Sequence, residues 1–205
     1  MAETKHRLPT DTDDGLLVVM SGPSGVGKTT IARAVERAIP ASMFSVSATT
    51  RAKTAADVEG VDYHFVDEAA FREMIGRGAF LEWAEVFGRL YGTPKDWVDE
   101  QLRRGRVVIC DIDVEGARQI KAAMPEALTI FVLPPSEEDL LVRLRQRKRE
   151  SEDLIQKRFA EAKREIAAAR QSGVYEHFLV NEALEASIAQ AVALVTNAQN
   201  RRRRS

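Results

Sequence analysis

The 205-residue sequence contains one cysteine, Cys110. No disulfide can form within the chain, which excludes the small stapled scaffold of secreted domains. Nor does charge of one sign prevail. Thirty lysines and arginines face 31 aspartates and glutamates, for a formal net charge of -1. Nucleic-acid-binding domains usually show a basic excess, so no nucleic-acid partner is expected. Long apolar runs are missing too. Leu16–Met20, near the start, is too short for a membrane span or a signal-peptide core. A cytoplasmic protein with no membrane partner is the expectation. No internal repeat occurs.

What is present is an ordinary globular composition, 44% hydrophobic, long enough for one compact domain with an insertion or two. Residues 1–14 are polar, carry both signs of charge and read as a disordered tail. Leu16–Ser21 is an apolar run ended by Gly22-Pro23, hence a buried strand. A helical pattern follows from Lys28 to Ile39 and stops at Pro40. Further strands are expected at Met43–Ser47, Tyr63–Val66, Phe80–Phe87, Arg106–Asp111, Leu128–Leu133 and Phe178–Val180. Helices are expected after Asp67, after Pro94, from Val114 to Met124, across the charged stretch from Ser136 to Arg170, and over 182–199. Strands alternating with helices predict an α/β fold, a parallel sheet covered by helices on both faces. Two stretches break the rhythm: the strand-rich 48–93 and the charged helical 137–170. Cys110, in an apolar strand, reads as core packing. The Arg201–Arg204 run has no interleaved aromatics and reads as a solvated tail rather than a nucleic-acid or lipid contact.

The chemistry starts at Gly22-Pro23-Ser24-Gly25-Val26-Gly27-Lys28-Thr29, which fits G-x-x-x-x-G-K-[ST] between a strand and a helix. Glycines let backbone N–H groups turn inward around phosphate oxygens, and the helix N-terminus adds positive potential. Lys28 can reach the terminal phosphates, and Thr29 can offer a hydroxyl to Mg²⁺. Thr30 follows directly. Such a loop binds nucleoside triphosphate but does not name the reaction. Asp111, at the C-terminal end of a parallel strand, lies at the sheet edge where ligands bind and is the candidate for holding Mg²⁺ through water. Asp113 is either a ligand contact or the N-cap of the next helix.

The stretches SGPSGVGKTT (21–30), SVSATTR (45–51), GVDYHFV (60–66), FLEWAEVFG (80–88), YGTP (91–94), DIDVEGA (111–117) and PPSEEDLLVRL (134–144) resemble, in order and spacing, those of the guanylate kinase family. The resemblance covers about residues 15–195 and implies the fold of a P-loop nucleoside monophosphate kinase. It implies a core of 15–47, 94–136 and 171–200, a small strand-rich GMP-binding insertion over 48–93, a helical lid over 137–170 and a basic tail at 201–205. The implied substrates are ATP, with Mg²⁺, and GMP, on a monomer or homodimer. Ser47, Arg51, Tyr63 and Tyr91 match positions that hold the GMP phosphate. Glu82 and Thr93 match the guanine readers, and Asp113 a further acceptor. Arg143, Arg147 and Arg158 match arginines that reach the transferring phosphate. Asn181 matches an asparagine near adenine.

Residue chemistry supports these roles independently. Guanine presents N1–H and its 2-amino group side by side, so one carboxylate accepts from both and a hydroxyl can donate to O6. Adenine would leave a buried carboxylate unmatched. Taken singly, each residue has a plainer reading: Glu82 as the outer face of a strand, the tyrosines as half-buried surface aromatics, Arg143 and Arg147 as solvated helix partners. The pattern also has departures. Thr54 stands where the family usually carries a second phosphate-binding arginine, beside Lys53, and Ala56-Asp57 where Gly-Glu is usual. Leu90, Glu115 and Lys148 replace a frequent tyrosine, glutamine and glycine. Thr54 predicts a raised KM for GMP. Three rival readings are weaker. A ribose-bisphosphate kinase would not need the 48–93 reader, a scaffold binding module typically has a damaged phosphate loop, and a GTPase would want N-K-x-D, which is absent.

Overall fold

Six consecutive residues with no polar face to show to water, Leu16–Ser21, must run through the middle of a sheet. A computed structural model describes residues 14–86, 88–146 and 151–203. In it this run is β1 (Leu16–Ser21), buried along its whole length. It pairs in parallel with β7 (Val107–Asp111) on one side and β8 (Leu128–Leu133) on the other. Outside them lie β2 (Ser42–Phe44) and β9 (His177–Val180), also parallel, giving the order β2-β7-β1-β8-β9.

Strand alternation divides the core between the two faces of this sheet. Leu16, Val18 and Met20 join Ile109 and Ile130 against Ile31 and Val35 of α1 (Lys28–Ala38) and Val195 of α7 (Leu184–Arg202). Leu17 and Val19 face the other way, with Val108, Cys110 and Phe131, onto Val98 of α3 (Lys95–Arg103), Ile120 of α4 (Val114–Ala123) and Ala169 of α6 (Glu152–Ser172). Burial pushes the Cys110 thiol up to about 12, so it is packing material and not a nucleophile.

A second, four-stranded sheet runs β4-β3-β6-β5, from β3 (Ala48–Thr49), β4 (His64–Phe65), β5 (Phe80–Val86) and β6 (Arg89–Pro94). It has its own core of Ala48, Phe71, Phe80 and Leu90, closed by α2 (Glu68–Gly76), whose N-terminal Ala70 amide is held by the Asp67 side chain. The charged stretch folds as two helices, α5 (Glu137–Gln146) and α6, packed through Leu140, Leu144, Ile155 and Ala162. Ser136 caps α5 by accepting from the Asp139 amide.

Three expectations change. The strand expected over Met43–Ser47 is split: β2 ends at Phe44 and the chain passes to the second sheet at Ala48. Strand β6 had no sequence counterpart. The last helix extends through Arg202, so Arg201 and Arg202 belong to α7 and not to a tail. Residues 1–13, Arg147 and Arg204 lie outside the described residues.

Candidate active site

The strand order reverses at β1, whose neighbours are β7 and β8. Chains leaving adjacent parallel strands in opposite directions open a crevice at their C-terminal ends. The loop 22–29 leaves β1 there, and Asp111 ends β7 directly opposite Met20. The resulting cleft, about 510 Å³, runs from this loop to the second sheet, with α6 along one side.

Within the loop, Gly27 caps α1 with φ 91°, in the left-handed region where a side chain would be strained. A Cβ there would also come within 2.7 Å of the Asn181 amide nitrogen. The loop can therefore pack against β9's end only as glycine. Lys28 makes an ion pair with Asp111. Thr29 donates its hydroxyl to the other oxygen of the same carboxylate at 2.6 Å. The arrangement gathers one ammonium, one hydroxyl and one carboxylate at the sheet edge.

That donor set fits Mg²⁺. Magnesium takes hard oxygen ligands, usually one or two from protein and the rest from phosphate and water. Thr29 and Asp111 supply a hydroxyl and a carboxylate side by side. Among the described residues no group of three or more His, Cys, Asp or Glu forms a dedicated cage.

At the far end, Glu82 is 4% exposed and accepts the Thr93 hydroxyl, itself fully buried, at 2.6 Å. Burial pushes the Glu82 carboxyl up to about 7, the Thr93 hydrogen bond opposes the shift, and Asp113 adds to it. Gly116 makes room for Glu82, since a Cβ there would sit 2.5 Å from Oε2. Asp113 accepts the Gly116 amide at 2.7 Å and lines the cleft, so its helix-cap and site positions are the same position. Tyr63 and Tyr91 meet edge to face, ring centroids 5.7 Å apart, and with Ser47 form the wall between the two ends.

The remaining candidates are the arginines and Asn181. Arg51 adjoins the Tyr63 part of the cleft wall. Its guanidinium sits 5.1 Å from the Tyr63 ring centroid and pairs with Asp57. Arg158, on α6, lines the cleft and donates to the Ser24 hydroxyl at 2.5 Å. Arg143 is placed differently from its expected position at the transferring phosphate: it donates to the carbonyl of Asn181 at 2.8 Å and reaches that of Val26 at 3.5 Å. Asn181 is 5% exposed and donates to the Val26 carbonyl at 2.8 Å, bracing the phosphate loop from behind. Arg147 lies outside the described residues.

Sequence reasoning missed two cleft residues of note. Ser45 is 2% exposed and lines the cleft. Glu165 faces it from α6, and burial pushes its carboxyl up to about 7, against the nearby Lys28 charge. The signal for Glu165 was available. It follows Arg158 by seven residues, two helical turns, and so shares its face.

A family model described as guanylate kinase matches residues 15–198. The chain belongs to the guanylate kinase family. The guanylate kinase of Anaeromyxobacter dehalogenans (strain 2CP-C) is 49% identical over 195 residues, covering 95% of this chain and 83% of that relative. The guanylate kinase of Myxococcus xanthus (strain DK1622) is 45% identical over 190 residues, covering 93% and 90%. Among solved structures, a guanylate kinase from Anaplasma phagocytophilum superposes with a TM-score of 0.74 at 31% identity, covering 90% of this chain and 86% of that one. No described helix is long and apolar enough to cross a membrane.

Proposed function

We propose that this member of the guanylate kinase family transfers the γ-phosphoryl group of ATP, bound with Mg²⁺, to GMP or dGMP, giving ADP and GDP. The observation that carries the reading is one cleft with a phosphate loop at one end and the buried Glu82–Thr93 pair at the other. The carboxylate matches the two side-by-side donors of guanine, and the Thr93 hydroxyl, which Glu82 accepts at 2.6 Å in the free site, can turn its one proton to O6 when guanine takes up the carboxylate.

In this reading the 48–93 sheet binds GMP and the 137–170 helices form a lid. The backbone N–H groups of the Gly22–Thr30 loop, Pro23 excepted, cradle the ATP phosphates, and Lys28 neutralises their terminal charge. Thr29 and Asp111 hold Mg²⁺, which supplies charge neutralisation to the phosphates when bound. Ser47, Tyr63, Tyr91 and Arg51 hold the GMP phosphate, and Asp113 takes a further donor of GMP. Arg158 brings positive charge from the lid side. Arg143 and Asn181 hold the phosphate loop at Val26, on the ATP side.

The reaction needs little covalent chemistry from the protein. An oxygen of the GMP phosphate attacks the γ-phosphorus. The new O–P bond forms as the bond to the β–γ bridging oxygen breaks, and its electron pair stays on ADP. The attacking oxygen is already anionic, so no general base is required. Alignment and charge stabilisation do the work, and closure of the lid keeps water from competing for the phosphoryl group.

The test is ADP release from ATP and Mg²⁺ against GMP, AMP, UMP, CMP and ribose bisphosphate. GMP turnover far above the others is expected. Preference for another acceptor would overturn the reading.

A further inference from the structure

Loop 51–57, between β3 and β4, is tied to a single carboxylate. Four hydrogen bonds converge on Asp57. Arg51 gives one N–H from each terminal nitrogen, Nη1 to Oδ2 at 3.0 Å and Nη2 to Oδ1 at 2.8 Å. Thr54 gives its amide at 2.7 Å and its hydroxyl at 2.6 Å, both to Oδ2. With its carboxylate engaged on both sides, Asp57 has little freedom to rotate. Arg51 and Thr54 also hold its carboxyl well below the usual range, so the pin stays charged.

The stereochemistry of the Arg51 contact follows. A guanidinium has five N–H donors in a rigid plane. Asp57 takes two of them end-on, and the second Nη1–H goes to the Ala52 carbonyl at 3.2 Å. The two that remain, on Nε and Nη2, share one edge, the fork that fits two oxygens of a phosphate. Aromatic rings flank the group, with centroids 5.1 Å away at Tyr63 and 5.3 Å at Phe65. Tyr63 belongs to the cleft wall.

We propose that Asp57, pinned by Thr54, is a positioning residue that aims the Nε/Nη2 edge of Arg51 at the acceptor phosphate. The inference rests on the reading of Arg51 as a ligand of that phosphate. It gives Thr54 a purpose at a place where the family usually has a second cation: the loop contributes orientation in place of charge. A pre-aimed arginine loses less side-chain freedom on binding than a loose one, so the benefit appears in affinity for the acceptor and not in the chemical step.

The test is steady-state kinetics with GMP varied at saturating ATP, on the full chain and three variants. Thr54→Val keeps the shape and removes the hydroxyl. It raises the KM for GMP by about three- to tenfold, with kcat and the KM for ATP unchanged. Thr54→Ser keeps both donors and stays within about twofold of the parent. Asp57→Ala raises the KM at least as much as Thr54→Val does, and adding Thr54→Val to it changes nothing further, because Thr54 acts only through Asp57. An unchanged KM in Thr54→Val, a fall of kcat in its place, or additivity of the two changes overturns the inference while GMP turnover by the parent stands. If the parent makes no GDP, the site reading fails and this inference fails with it.

Discussion

Replacing Glu82 by glutamine keeps the size and removes the charge. In the structure the side chain is 4% exposed, one oxygen takes the Thr93 hydroxyl at 2.6 Å, and the other occupies the space that the missing side chain of Gly116 leaves. The glutamine carbonyl keeps the Thr93 contact, so its NH₂ group turns to the edge of the nucleobase. There it meets the N1–H and 2-amino donors of guanine, donor against donor. One charge-assisted hydrogen bond lost, worth ~2 kcal/mol, and buried donors left unpaired, at ~2 kcal/mol, together lower kcat/KM for GMP on the order of a thousandfold. Adenine presents an acceptor at N1 instead, so the ratio of AMP to GMP turnover rises. The assay is coupled ADP release at limiting GMP and at limiting AMP. A pH series gives a second, independent readout. The Glu82 carboxyl sits near pH 7 because of its burial, and only its anion accepts both guanine donors. In the parent, kcat/KM for GMP falls as pH drops through about 7. The glutamine variant loses that limb and keeps only the titration of substrate phosphate, near pH ~6. A variant with parental kcat/KM, or with the same acid limb, refutes the reasoning.

Three further outcomes follow from the same geometry. Lys28→Ala removes the ammonium paired with Asp111 and abolishes measurable turnover, while far-UV circular dichroism and the thermal midpoint stay close to those of the parent; retained kcat would contradict it. Gly116→Ala places a methyl 2.5 Å from Glu82 Oε2 and raises the KM for GMP with little effect on that for ATP, as initial rates will show. Glu82 also links stability to pH. Its folded value, about 7, lies above its ordinary 4.5, so the folded state binds the extra proton between them. That contribution, ~3 kcal/mol, is present below pH 4.5 and is lost as pH rises through 7. Urea unfolding of the parent and of Glu82→Gln across that window will show the variant losing less stability with rising pH.

The parallel core was legible because its strands carry their own signal. Leu16–Met20 is unbroken apolar and Leu128–Leu133 apolar but for Thr129, and a sheet buried on both faces explains such runs. The phosphate loop was legible for the same local reason, since its glycines and Lys28 must be contiguous. Strand β6 was not. Gly92 and Pro94 look like breakers, yet both lie on a strand that pairs with β5, where Gly92 is glycine because a Cβ there would meet the Phe80 ring at 2.8 Å. The cause is tertiary and leaves no mark on neighbouring sequence. Glu82 lay in a visible strand, but its burial depends on Gly116, 34 positions away. Arg143 was matched to the transferring phosphate by the family resemblance, while its spacing from Arg147 alone read as a solvated helix face. Its actual partners are backbone carbonyls of Val26 and Asn181, which belong to other elements and which side-chain identity does not reveal.

In the proposed reaction the two ends of one cleft bring a triphosphate and guanosine monophosphate into line. Phosphorus NMR of the purified chain with ATP, Mg²⁺ and GMP tests it most directly. The GMP signal is expected to give way to the paired signals of GDP as ATP becomes ADP, with no inorganic phosphate accumulating. Unchanged GMP in the presence of folded protein, or ADP formed together with free phosphate, would contradict it.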